Sequence, residues 1–359
     1  MGMMDIQSLM DFYKGKRVFI TGHTGFKGSW LCHILNYFGA SVYGYSLPPD
    51  ADSLYMISGL ETTIESHAGD VRDFSELFEF YKHANPDMVL HLAAQPLVRA
   101  SYDRPAYTYE TNVMGTVNIL ECLRLHPGAV SFLNVTTDKV YLNRERIWGY
   151  REDERLDGFD PYSNSKSCSE LVTWTYKRSF FTAEGTPSIS TARAGNVIGG
   201  GDFATDRIIP DCVRAAIAGR EIPVRNPYST RPYQHVLEPL FAYLMIAACQ
   251  TINPDLAGSY NVGPDDDGCF RTGQLVDAFV KAWGEGLKWA NYSDDGPHEA
   301  NFLKLDNSLI KTRMGWYPVW TLAEAVDRII EWTKCWLAGN DVAEIMKKQI
   351  QQYITDSKK

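Results

Sequence analysis

Apolar residues first gather in a short run, Arg17-Val18-Phe19-Ile20-Thr21, which stops at three evenly spaced glycines, Gly22, Gly25 and Gly28. Beyond them the apolar positions change period to Leu31, Ile34, Leu35 and Phe38, the spacing of one helical face. A strand that turns through glycines into a helix brings main-chain amides together at the positive end of that helix, which suits a pyrophosphate. In Gly22-His23-Thr24-Gly25-Phe26-Lys27-Gly28 the first glycine allows the tight turn and the second lets the backbone approach phosphates. The third lets the helix pack closely on the sheet. Such a glycine pattern is common by itself; correct flanks on both sides favour a dinucleotide.

The alternation continues along the chain. A second strand is predicted at Ser41-Val42-Tyr43-Gly44-Tyr45, and residues 63–73 give a strand, a turn and the N-cap of a helix reaching about Ala84. Pro86-Asp87 opens a short buried strand, Met88-Val89-Leu90-His91-Leu92. A helix over Pro105 to Leu125, a fifth strand over Ser131 to Thr136 and a helix opening after Pro161 follow, with a sixth strand ending near Ala192. Strands and helices alternating in this way predict an α/β fold, a Rossmann-type doubly wound parallel sheet whose ligands lie at the carboxyl ends of the strands.

A chain of 359 residues can hold one large domain or two and bury roughly 75% of its unfolded surface. The net charge of −9 leaves no basic stripe for nucleic acid, so an anionic ligand must be met by individually placed cations. Seven cysteines scattered without a C-x-x-C pair suggest reduced thiols, with no disulfide framework and no metal site. The longest apolar run, Leu240 to Cys249, is too short to span a bilayer, and Asp5 and Asp11 near the N-terminus interrupt any signal-like segment. A cytoplasmic, membrane-free protein is expected.

Candidate chemistry falls at strand ends. After the second strand Ser46 stands where NAD-binding chains usually carry an acidic residue for the ribose, yet no arginine near by would welcome a 2′-phosphate, so NAD is the expected cofactor. Asp70 is placed to meet an adenine amino group, and Ala93-Ala94-Gln95 would let the backbone lie against the dinucleotide. Lys27 reads more readily as a solvated helix-start lysine than as a phosphate ligand, and His91 as a satisfied core histidine. Thr136-Thr137-Asp138-Lys139 closes the fifth strand. Tyr162-Ser163-Asn164-Ser165-Lys166 then opens a helix, and its four-residue spacing stacks phenol and ammonium on one face. Lowering a tyrosine from about 10 to about 7 takes about 4 kcal/mol, which one cation about 4 Å away supplies at an effective dielectric of about 20. Lys166 is the expected source.

The segments T-G-H-T-G-F-K-G, H-L-A-A-Q-P, T-T-D-K-V-Y and P-Y-S-N-S-K resemble an extended short-chain dehydrogenase/reductase of the nucleotide-sugar 4,6-dehydratase family. With G-H-T-G-F-K-G-S-W and T-D-K together, the resemblance is closest to the CDP-glucose 4,6-dehydratases and runs from about Lys16 to Trp332. It implies a Rossmann domain over 1–192, to which 231–257 can contribute, and a smaller mixed α/β substrate domain over 193–359, chiefly 193–230 and 258–337. NAD would be held by residues 22–28, by Asp70, Val71, Leu92, Ala93, Ala94 and Thr136, and by Tyr162 and Lys166. Gln95, Asn196, Arg231 and His235 would meet the nucleotide sugar, CDP-glucose. His23, an imidazole where relatives commonly have a small residue beside the pyrophosphate, would weaken cofactor retention. The family also pairs its two long helices into a homodimer, while the tail after Leu337 is helical in pattern with no catalytic role.

The implied reaction oxidises C4, so that the ketone acidifies C5, and then expels water across C5 and C6. Tyr162 takes the 4-hydroxyl proton, Thr137 hydrogen-bonds the same oxygen, and Asp138 is the acid at O6. Where the better-known dTDP-glucose dehydratases have Glu as the C5 base, this chain has Lys139. A lysine is a base only when neutral, which burial or a neighbouring cation such as Lys166 would have to bring about. The roles of Asp138 and Lys139 could equally be exchanged. A 4-epimerase or reductase on the same scaffold would need Tyr162 and Lys166 but no acid-base pair after Thr137. A non-catalytic dinucleotide-binding redox sensor would need none of these side chains.

Overall fold

The structure, a computed structural model, describes residues 4–284, 286–292 and 300–359. Its elements run α1 (Ile6–Tyr13), β1 (Arg17–Thr21), α2 (Phe26–Phe38), β2 (Ser41–Ser46), α3 (Leu54–Ile57), β3 (Glu65–Ala68), α4 (Phe74–Ala84), β4 (Met88–His91), α5 (Val98–Asp103), α6 (Pro105–Tyr109), α7 (Gly115–Leu125), β5 (Ser131–Thr137), α8 (Pro161–Phe180) and β6 (Ser188–Ala194). There follow β7 (Val197–Ile198), α9 (Ile208–Ile217), β8 (Ile222–Val224), β9 (Thr230–Arg231), β10 (Gln234–His235), α10 (Leu237–Ile252), β11 (Ser259–Val262), β12 (Phe270–Arg271), α11 (Thr272–Trp283), β13 (Trp289–Asn291), α12 (Ser308–Met314), α13 (Leu322–Leu337) and α14 (Val342–Asp356).

Seven parallel strands form the main sheet in the order β11-β6-β5-β4-β1-β2-β3. The strands are apolar on both faces because both faces are covered. Val18, Ile20, Leu90, Leu133 and Val135 pack toward α2, α10 and α14, while Phe19, Val89 and Phe132 pack toward α4 and α7. The run Leu240–Cys249 is apolar all round because α10 is enclosed, and among the described residues no helix is long and apolar enough to cross a membrane. The helix expected over Pro105 to Leu125 is continuous but contains one wider turn, Glu110–Met114, with i→i+5 bonding.

A second, smaller core gathers Ile198, Ile209, Cys212, Ile222, Val224, Leu275, Phe279, Val326 and Ile329 from α9, α11, α13 and the short strands. The chain enters this lobe after Ala194, returns to the first as α10, and stays there for β11. Residues 259–262, expected in the second domain, thus pair as the seventh strand of the main sheet. The polar tail also belongs to the first lobe. α14 turns Met346, Ile350 and Tyr353 into the core around α2, and the Tyr353 hydroxyl donates to the buried Glu238 carboxylate at 2.7 Å.

Candidate active site

The glycine loop is shaped for close backbone approach. Gly22 has φ +78°, and a Cβ there would stand 2.7 Å from the Ala93 nitrogen; at Gly28 it would stand 2.2 Å from the Gly22 carbonyl oxygen. Gly25 is the N-cap of α2 and offers no side-chain cap, leaving the donors of the first turn to a ligand. The Thr24 hydroxyl holds the loop to the end of β2 through Ser46 at 2.7 Å. Phe26 packs toward Gly199 and Val71 toward Gly115, while Thr21 Oγ1 accepts from the Ala93 amide at 3.2 Å. These residues, with Leu92 and Ala94 on the strand end beside them, fit a dinucleotide: open at the helix terminus and closed where a side chain would intrude.

α8 starts where Asp160 caps it, accepting from the Ser163 amide at 2.9 Å, with Pro161 pre-set in the first turn. Its position against the sheet is fixed by a buried ion pair. Arg193 Nε and Nη2 donate to Glu170 at 3.0 Å each, and Thr136 Oγ1 donates to the same carboxylate at 2.5 Å. Asn112, at the wide helical turn, adds a bond to Ser165 Oγ at 2.8 Å. Tyr162 and Lys166 are thereby presented at the end of β5.

There the side chains of Thr137, Asp138, Lys139 and Tyr162 converge. Thr137 Oγ1 donates to Asp138 Oδ1 at 2.9 Å, and Lys139 Nζ donates to the same oxygen at 3.1 Å and to Asn196 Oδ1 at 3.4 Å. Asp138 is fully buried, and its Oδ2, which lies against Gly195, has no hydrogen-bond partner. Burial raises the Tyr162 phenol above its ordinary value, and the Lys139 ammonium and a hydrogen bond with Thr137 pull it back. Burial works against the Lys139 ammonium too, but Asp138 and Tyr162 outweigh it, so Lys139 lies above the usual lysine range. Arg231 is the cation that opposes this.

Two expectations about the lysines are therefore corrected. Lys166 turns its ammonium to the Val135 carbonyl at 3.0 Å and is pushed down to about 8 by burial, while the cations acting on Tyr162 are Lys139 and, more weakly, Arg207. Lys139 is not a neutral amine, because its nearest charge is a carboxylate.

The match to a family model described as GDP-mannose 4,6 dehydratase spans residues 19–329. A CDP-glucose 4,6-dehydratase of Salmonella typhimurium is 46% identical over 351 residues, covering 96% of this chain and 98% of that one. This chain belongs to the GDP-mannose 4,6-dehydratase family. A dTDP-glucose 4,6-dehydratase of Shigella flexneri is 26% identical over 94% of the chain and 97% of its own length. Among solved structures, a dTDP-glucose 4,6-dehydratase of Streptomyces venezuelae shares the fold at TM-score 0.77 and 20% identity, covering 91% of this chain and 99% of that one. A UDP-glucose 4-epimerase of Stenotrophomonas maltophila does so at TM-score 0.78 and 20% identity, covering 90% and 99%.

Within this dehydratase-family scaffold several residues singled out in the sequence turn away from the cleft. Gln95 spends its amide on its own loop and on α6, on the Leu97 carbonyl at 3.1 Å, the Leu97 amide at 2.7 Å and the Thr108 hydroxyl at 3.0 Å. His235 is fully buried between Trp30 and Trp320, a packing position. Asp70 is held by Arg72, whose Nη2 and Nε approach at 2.7 and 3.0 Å, so an adenine would have to share an occupied carboxylate. The Thr136 hydroxyl lies on the Glu170 side of β5, leaving only its backbone toward the cleft. His91 is the core histidine expected, with Thr21 and Thr116 on its two nitrogens. Asn196 accepts from Lys139 Nζ at 3.4 Å, while the Arg231 guanidinium donates to the Thr230 and Ala300 carbonyls. Arg207, which stands near Lys27, carried no motif that could have marked it. A cavity of about 790 Å³ lies elsewhere, lined by Arg146, Arg151, Glu154, Asp265 and Asp306.

His23 turns its ring inward, beneath the loop: fully buried, bonded through Nε2 to Ser66 at 2.7 Å, edge-on to Tyr55 and filling the space over Gly44. Burial pushes it down to about 4, so it is neutral at physiological pH. His23→Gly should cost about 3 kcal/mol through the cavity and the lost hydrogen bond. Thermal unfolding checks this, and an unchanged Tm would show that the ring bears no load.

Proposed function

We propose that this protein is a CDP-glucose 4,6-dehydratase that converts its substrate to the 4-keto-6-deoxy sugar with NAD held on the glycine loop. The glycine loop of residues 22–28 would hold NAD, and the nicotinamide would supply the hydride chemistry, with C4 oxidised and C6 reduced. The observation that carries this reading is the Asp138–Lys139 pair beside Tyr162, an acid-base couple that simple oxidation or epimerisation at C4 does not need. The identity to a CDP-glucose enzyme supports the choice of nucleotide, and the open helix terminus with its intact glycines supports NAD.

In this reading Tyr162 takes the proton of the 4-hydroxyl as C4 is oxidised, and Thr137 steadies that oxygen. The ion pair supports the exchanged roles for the elimination. Asp138 has one oxygen without a hydrogen-bond partner, so in this reading it takes the C5 proton and gives it back to C5 when C6 receives its hydride. Lys139 rests as an ammonium, so it delivers a proton to O6 as the C6–O6 bond breaks and water leaves. The decisive experiment compares CDP-, dTDP-, UDP- and GDP-glucose. Preferential formation of a 4-keto-6-deoxy sugar from CDP-glucose is expected; C4 epimer from any of them, or no product from all four, would sink the reading.

A homodimer is part of the proposal. Met114 at the start of α7 and Leu171 and Phe180 on α8 are exposed at 49%, 55% and 49%, an apolar surface on helices that already pack side by side. Light scattering should give a dimer at micromolar concentration, and Leu171→Glu should shift it toward monomer. A monomeric parent protein would remove the interface.

A further inference from the structure

Lys27 begins as an electrostatic misfit. It sits in the first turn of α2, where the helix dipole disfavours a cation. It makes no hydrogen bond or ion pair among the described residues. The charges around it are Arg207, itself paired with Asp202 at 3.0 Å, Lys166 and Lys139, with Asp138 an anion among them that Lys139 already engages. Burial, then Arg207 and Lys166, hold the ammonium down to about 7. A half-buried amine crowded by cations is tolerated best when an anion fills the space between them.

Packing bears on which anion that is. Phe26 lies against Gly199, and Trp30 Nε1 donates to the Gly200 carbonyl at 3.0 Å, so the start of α2 abuts the crossing from β7 into the substrate lobe. The cations near Lys27 come from that lobe and from the reacting end of the cleft, not from the adenine side around Asp70. We propose that the Lys27 side chain is a substrate-positioning group which, with Arg207, meets the diphosphate of the nucleotide sugar, while the backbone of the same loop serves the cofactor. The loop then registers the sugar over Tyr162 as well as holding the dinucleotide. The inference rests on the dehydratase reading for the identity of the diphosphate.

The full-length protein with Lys27→Met and Lys27→Arg tests it, using CDP and NAD as separate calorimetric probes at pH values either side of neutrality. CDP affinity of the parent should fall as pH rises through about 7, because only the ammonium form attracts the diphosphate. Lys27→Met should weaken CDP by about tenfold or more and leave NAD nearly unchanged. Lys27→Arg should restore CDP binding and abolish the pH dependence, which a merely structural lysine would not do. A loss confined to NAD would overturn the proposal by assigning the side chain to the cofactor. Unchanged affinities with a flat pH profile would overturn it by making Lys27 a bystander. Failure of all nucleotide glucoses to turn over would count against the dehydratase reading alone, since the CDP titration reads Lys27 without chemistry.

Discussion

Tyr162→Phe is expected to lower turnover of CDP-glucose by about 10²- to 10⁴-fold, the range for removing a general base, with little change in stability or in CDP affinity. The ring stays, α8 keeps its Asp160 cap, and the Glu170–Arg193 pair that seats the helix lies more than a turn away. Only the group that takes the 4-hydroxyl proton is lost. The pH profile should say so as well. Because the phenol sits above its ordinary value, the parent enzyme's kcat/KM should rise with pH across the neutral range as the phenolate fraction grows, and the variant's residual activity should lose that slope. Activity within a factor of about three of the parent would move the base elsewhere.

The division between what the sequence made legible and what it hid follows from what each signal measures. Apolar periodicity reports which backbone is buried, so the strands through Thr136, the glycine turn and the helix opening at Pro161 lie where the pattern put them. It does not report where a polar side chain points. His23, Gln95 and His235 occupy suggestive positions in the chain, yet each spends its side chain inside the protein, on Ser66, on the 95–97 loop and between two tryptophans. Long-range pairing was hidden for a related reason. Ser259–Val262 is four buried residues with no signal saying which lobe buries them, and only its parallel register with Thr191–Ala194 makes it part of the main sheet. The lysines show the same limit in the site. Spacing of four placed Lys166 on the Tyr162 face of the helix, but the Val135 carbonyl captured its ammonium and left that electrostatic role chiefly to Lys139.

That exchange sharpens what removing Lys139 should do. Lys139→Met keeps the length and loses both the charge and the exchangeable proton. Without the cation, Tyr162 ionises less readily, so oxidation at C4 should slow at neutral pH and recover as pH is raised, when hydroxide does what the ammonium did. The elimination should not recover, since no proton source stands at O6. Asp138, freed from its partner, still offers Oδ2 to the C5 proton. In deuterated water at raised pH the variant should therefore incorporate deuterium at C5 of unconsumed substrate while releasing product about 10²-fold or more slowly than the parent. The pattern separates the two assignments for the pair. Were Lys139 the C5 base, exchange and product would vanish together; were it a spectator, both would stay near parental rates. Asp138→Asn supplies the converse, with C5 exchange lost while Tyr162-dependent oxidation, trapped by borodeuteride at C4, continues.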